Sequence, residues 1–261
     1  MSNNVTLGST VRSEWIKFRS VRSTLSGVLI MFVLTIGLGA LLSFAVRSQW
    51  HHFHPAQRLT FDPASTSLSG VVFSQFAVGV IGALLITSEY ASGSIRTTLS
   101  AVPNRYRLIT AKLVVIVASM FIVTEIACFI AFFVGQSIFS GVVPTASLSN
   151  GSALRAVIFA GLYLTVLSVL SFSLGLILRH TATVIAVFAS LVLILRLVTF
   201  ALPSAWQNAI ARFEPSELGN AMSSVIPPAH DFSPTNSLAI LVLYTVVLAG
   251  IGAVLLQRRD A

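Results

Sequence analysis

Six runs of mostly apolar residues, at positions 25–46, 68–88, 108–137, 153–178, 181–202 and 238–256, limit what this chain can become. Each approaches or exceeds the roughly 20 residues a helix needs to cross the hydrocarbon core of a bilayer. Backbone polar groups find no water in lipid, so segments of this length are satisfied only as helices, and no ten-residue alternation suggests a barrel instead. Only 9% of the residues are charged and 55% are hydrophobic, whereas a soluble domain carries about a quarter charged residues. The expectation is an all-α membrane protein forming a single transmembrane domain over residues 1–261. The first run is as long as a span and no small-x-small cleavage site follows it, so it reads as a span and not a signal peptide. Cys128 is the sole cysteine, which excludes an intrachain disulfide or a cysteine-built metal site.

Lys and Arg set the orientation. Arg12, Lys17, Arg19 and Arg22 precede the first run, and Arg96, Arg105, Arg107 and Lys112 lie between the second and third. With Arg179, Arg258 and Arg259 they put eleven of the sixteen basic residues on one side. The richer side is the cytoplasmic one, so both termini are expected there. This accounts for much of the net charge of +8 and calls for no nucleic-acid partner.

Residues 87–112 are the longest polar interruption in the first half of the chain. Ser92 or Ser94 is placed to cap a short helix. Ile95 and Leu99 fall one turn apart on one face, and Arg96, Thr97 and Ser100 on the others. Val102, preceding Pro103, is pushed out of helical geometry. The segment reads either as a docking helix or as a solvated loop. Ahead of span one, Val11, Trp15 and Phe18 share a face, with Arg12, Lys17 and Arg19 around it. This fits an N-terminal interfacial helix in the headgroup plane, the alternative being a short juxtamembrane tail. Between spans five and six, Trp206, Ile210, Phe213, Leu218, Met222, Val225 and Ile226 recur at near-helical spacing. Pro215 is placed to start a helix and Pro227-Pro228 to end it, which predicts two short outer helices resting on or dipping into the leaflet. Small residues one turn apart, Gly79 and Ala83, Ser171 and Gly175, Ala249 and Ala253, are expected to let helices approach closely.

Two ionisable residues fall inside the runs. Glu125 and Arg196 lie at similar expected depth, about 20 Å along spans three and five. They would pair within the bundle, or Arg196 would snorkel to the headgroups, or Glu125 would line a substrate path. His51, His52 and His54 lack a carboxylate or cysteine nearby to complete a metal site, except for Asp62. The two lysines precede Phe18 and Leu113, so there is no phosphate-binding loop of the Gly-x-x-x-x-Gly-Lys-Ser/Thr type. No Gly-x-Ser-Gly or His-Glu-x-x-His occurs, and Glu125 is the sole acidic residue within the runs. The chain reads as a non-enzymatic transport component driven by energy from outside itself.

The stretch Glu89-Tyr90-Ala91-Ser92-Gly93-Ser94-Ile95-Arg96-Thr97-Thr98-Leu99-Ser100, followed by Pro103, Arg105 and Lys112, resembles the cytoplasmic loop of permease subunits of bacterial ABC exporters of the type-2 (type V) class. The opening Ser13-Glu14-Trp15-Ile16-Lys17-Phe18-Arg19 is similar to the start of many such permeases. The resemblance implies a coupling helix in which Glu89, Gly93, Ile95, Arg96, Leu99, Pro103 and Arg105 engage a separate cytoplasmic ATP-binding subunit. It implies a connecting helix carrying Glu14, Trp15, Lys17 and Phe18, and outer helices that act as gate elements. ATP and magnesium would be bound by that partner, with no cofactor on this chain. A second permease, identical or homologous, would complete a multi-pass assembly in the bacterial cell membrane that exports an amphipathic drug, peptide or lipid-like substrate. A proton-coupled carrier using Glu125, or a membrane-embedded enzyme, is the alternative.

Overall fold

A computed structural model describes residues 6–102, 104–226 and 231–258. Among them every regular element is helical. Pro103, Pro227-Pro228 and Arg259 fall outside the described residues, while the two helices that these prolines were expected to end stop short of them, at Ala101 and Ser223.

Helix α1 (Leu7–Ser20) begins at Thr6, whose hydroxyl accepts from Ser9 N, and stops at Val21, where the backbone turns extended. Span one then runs through α2 (Arg22–Phe32), a π-turn at Val33–Leu38, and α3 (Gly39–Gln49). The π-turn is wider than an α-turn and disturbs the regular backbone ladder. Beside it, Thr35 Oγ1 donates to Met31 O at 2.7 Å and lies 2.6 Å from Ser74 Oγ on span two. Two short helices follow, α4 (Pro55–Leu59) and α5 (Pro63–Ser67), the latter capped by Asp62. Residues 47–67 are therefore not a plain loop. Ala64, Ser67 and Leu68 are fully or nearly fully buried, and Gln136 Nε2 reaches Pro63 O and Ser67 Oγ from span three.

Span two is α6 (Val71–Ala91), and the eight-residue α7 (Ser94–Ala101) links it to span three, α8 (Arg105–Phe139). Spans four and five are α9 (Gly151–Leu178) and the pair α10 (Thr181–Ala189) and α11 (Leu195–Phe200), joined through a second π-turn at Ser190–Ile194. Helices α12 (Ser204–Ala211) and α13 (Pro215–Ser223) precede span six, α14 (Pro234–Arg258). All six spans are long and apolar enough to cross a membrane, which makes this a multi-pass membrane protein.

Helix α9 is the hub, packed against α6, α8, α10, α13 and α14. Two of the expected small-residue pairs meet each other there: Ser171 Oγ on α9 donates to Gly79 O on α6 at 2.6 Å, and Gly175 lies against Ile86 and Ala83. At Gly82 a Cβ would fall 2.0 Å from Ser168 O, so only glycine permits the approach. The third pair forms no such seam. Ala249 and Ala253 are half-buried, and Gly252 carries the contact with Leu176. Leu29, Phe44, Phe133, Leu197 and Val246 point out of the bundle, as side chains in contact with lipid would.

Helix α13 is not a surface helix. Leu218, Ala221 and Met222 are at most 1% exposed, and Gly219 lies against the Tyr163 ring of α9. Pro215 does start it, at the position where a missing N–H is harmless.

Candidate coupling surface

The α7 end of the bundle gathers α1 and the close of α14. Arg105 Nη1 donates to Leu256 O and, at 3.1 Å, to Gln257 O at the close of α14. Lys112 reaches Glu14 of α1. An even number of spans requires this arrangement. Arg105, which the resemblance assigns to contact with the ATP-binding subunit, is engaged within the chain.

Four charges from three helices interlock beneath α7. Lys112 Nζ lies 2.7 Å from Glu14 Oε2 and 2.7 Å from Glu89 Oε1, and Lys17 Nζ lies 3.0 Å from Glu14 Oε1 and 3.0 Å from Glu89 Oε1. Both carboxylates and Lys112 are buried, while Lys17 is partly exposed. Two acids and two bases leave the lattice neutral, so the desolvation of its inner members is opposed by close partners of the other sign. Partial burial opposes the charge on Lys17, yet Glu89 and Glu14 more than offset this and hold its pKa above the ordinary lysine value.

The apolar face expected for α1 divides differently in three dimensions. Thr10, Glu14 and Phe18 point inward, Val11 is half-buried, and Trp15 stays 42% exposed and stacks on Phe18 at 6.2 Å. Glu14 takes the inward position because Lys112 waits there to neutralise it.

Helix α7 follows a tight turn at Gly93, whose φ of +70° belongs to the left-handed region. This corrects the expected hydroxyl cap: Gly93 occupies the N-cap, and Ser92 Oγ donates back to Ser88 O. Ile95 is 3% exposed and pins the helix, Leu99 is half-buried, and Arg96, Thr97 and Ser100 face outward. Val102 leaves helical geometry as expected, with φ −126° and ψ 83°. Between α7, α1 and the facing ends of α6 and α8 lies a cavity of about 500 Å³, walled by the charge lattice and by Leu84, Val115 and Phe172.

The two charges within the spans do not pair with each other. Arg196 Nη2 lies 2.9 Å from Glu217 Oε1 of α13, and Thr199, one turn on, donates to Glu214 Oε1. Because α13 enters the bundle, it brings a carboxylate closer to Arg196 than span three can. Burial pushes the Glu214 carboxyl above its ordinary range; Thr199 acts against that, Glu217 adds to it and Arg196 opposes it. Neither carboxyl oxygen of Glu125 has a hydrogen-bond partner among the described residues. Gly161 of α9 makes room for that carboxyl, since a Cβ there would fall 2.5 Å from Glu125 Cδ.

Glu214 and Glu217 escape sequence reading, although their three-residue spacing matches that of Arg196 and Thr199. Among the described residues no three His, Cys, Asp or Glu side chains come together as a metal site.

The family described as a protein of unknown function, DUF2705, matches residues 56–261. This chain belongs to the DUF2705 family. The match takes in α7, Glu89 and Lys112 but begins after Glu14 and Lys17, so the DUF2705 region holds one acid and one base of the lattice. No curated protein matches the chain.

Proposed function

We propose that this protein is the permease subunit of an ATP-driven exporter of the bacterial cell membrane, with α7 as the helix that receives force from a separate cytoplasmic ATP-binding subunit. The observation that carries this is the mounting of α7. A short helix with an outward face of Arg96, Thr97 and Ser100 is held through Ile95, while the ends of both flanking spans are locked to α1 by the four-charge lattice. A push on α7 reaches α6, α8 and α1 together, and the cavity beneath leaves room for displacement. The basic side chains collected at this end support a cytoplasmic orientation, and the sequence resemblance supplies the partner class.

The outward face suits a polar groove on the partner, with Arg96 as the charged contact and Leu99 at the edge. ATP and magnesium would remain on that partner, and a second permease, identical or homologous, would complete the path for an amphipathic substrate. The test is co-purification of an ATPase with the tagged chain, followed by its hydrolysis rate. Arg96→Glu removes the charge, and Gly93→Pro forbids the positive φ at the turn. Both should abolish coupled hydrolysis at normal membrane insertion. Unchanged ATPase activity of the assembled complex in both variants would sink the docking role. The unpartnered Glu125 carboxyl favours a proton-coupled carrier as the second reading. Loss of transport in Glu125→Gln, with Arg96→Glu silent, reverses the order of the two.

A further inference from the structure

A second cavity, of about 160 Å³, lies under α13 where α5, α6 and span five converge. Gln75 and Glu89 stand on the same helix 14 residues apart, about 21 Å at 1.5 Å per residue, so this cavity is far from the charge lattice. Its lining is mixed, with Leu68, Val71 and Val72 beside several side chains that can donate hydrogen bonds. Tyr163 donates its hydroxyl to Gln75 Oε1 at 2.6 Å, and both residues line the cavity. Ser216 is 7% exposed and its hydroxyl has no partner among the described residues, nor has the buried hydroxyl of Ser69. Arg196 adds the cation, and its pairing with Glu217 occupies one guanidinium nitrogen. Among the described residues no carboxylate lines the space.

Residues bearing hydroxyls, amides and a guanidinium around a space of roughly five water volumes match a compact, acceptor-rich anion. A buried hydroxyl without a partner carries an unfavourable desolvation energy, which an incoming oxyanion would offset. Arginine forks suit phosphate oxygens in particular. We propose that this cavity binds a single phosphate group, presented free or on a lipid headgroup. Val72, which lines the cavity, is exposed, as are the chain neighbours Phe73 on α6 and Leu197, next to Arg196, on α11, and these give an acyl chain an apolar surface to follow. The site goes beyond the exporter reading and stands whether or not an ATPase docks at α7.

Native mass spectrometry of the purified full chain tests it, with inorganic phosphate and phosphatidylglycerol as probes. The expected result is saturable binding of one equivalent, weakened about tenfold by Arg196→Gln and less by Ser216→Ala. Lipid binding that excess phosphate does not displace identifies a headgroup site; binding of phosphate alone, with competition, identifies a soluble ligand. Glu217→Gln separates recognition from fold, because it removes the partner of Arg196 without touching the lining. Binding retained in Glu217→Gln supports direct contact by Arg196. Binding lost equally in Glu217→Gln and Arg196→Gln, in chains that still fold, overturns it, as does the absence of one-to-one binding of either probe.

Discussion

Lys112 shows how a single side chain gains its role from what surrounds it. In sequence it is one more positive charge beside a span, useful for orientation. In the fold it is 5% exposed and lies 2.7 Å from both Glu14 and Glu89. Replacing it by methionine leaves two buried carboxylates facing one lysine, so Lys112→Met should destabilise the protein by about 3–5 kcal/mol. Removing the excess charge as well, in the Lys112→Met, Glu89→Gln double variant, should recover part of that loss. Thermal unfolding in detergent reads both. Strictly additive effects would show that the four charges do not act as a network.

Among the elements, α13 departs furthest from expectation. Its start at Pro215 was readable, since proline is tolerated at the first helical position. Its burial was not, because Leu218 and Met222 look alike whether they face lipid or a neighbouring helix. Two bonds one turn apart clamp it to α11, Arg196 to Glu217 and Thr199 to Glu214. The Glu214 carboxyl is raised above its ordinary value of 4.5 by burial, with Glu217, Arg196 and Thr199 facing it. A raised carboxyl pKa means that the folded clamp favours the protonated form. The contribution of Glu214 is complete below its ordinary value and is lost as pH rises through the folded one. Hydrogen exchange at α13, followed between about pH 4 and 8, should therefore quicken with pH beyond the intrinsic rate. Glu214→Gln should flatten that excess. An equal excess slope in both proteins would place the titration elsewhere.

At the scale of the whole molecule, α9 organises the bundle and its contact with α6 depends on the missing side chain at Gly82. A Cβ there meets the Ser168 carbonyl oxygen, which is backbone and cannot rotate aside. Gly82→Ala should lower stability by about 1–3 kcal/mol through overpacking. Gly250→Ala, with nothing within 4 Å of the added carbon, provides the control and should be close to neutral or slightly stabilising. Thermal melting of the two variants side by side checks the assignment of α9 as the hub. Equal melting temperatures would refute it.

The six spans, the helical linker before span three and the helix start at Pro215 were readable before any coordinates. They rest on local physics: hydrocarbon thickness sets the length of an apolar run, and proline or glycine marks where a helix starts or stops. Partner choice was not readable. Glu125 and Arg196 share an expected depth, yet Arg196 turns to Glu217 because α13 folds into the bundle. Glu14 was expected among charges at an interface, yet it is buried because Lys112 approaches from a helix about a hundred residues away. Burial of a charge depends on whether an opposite charge arrives at the same point, and that is decided by how the helices pack. The chain order alone carries the spans and their ends; the tertiary structure assigns the ion pairs, the buried α13 and the mounting of α7.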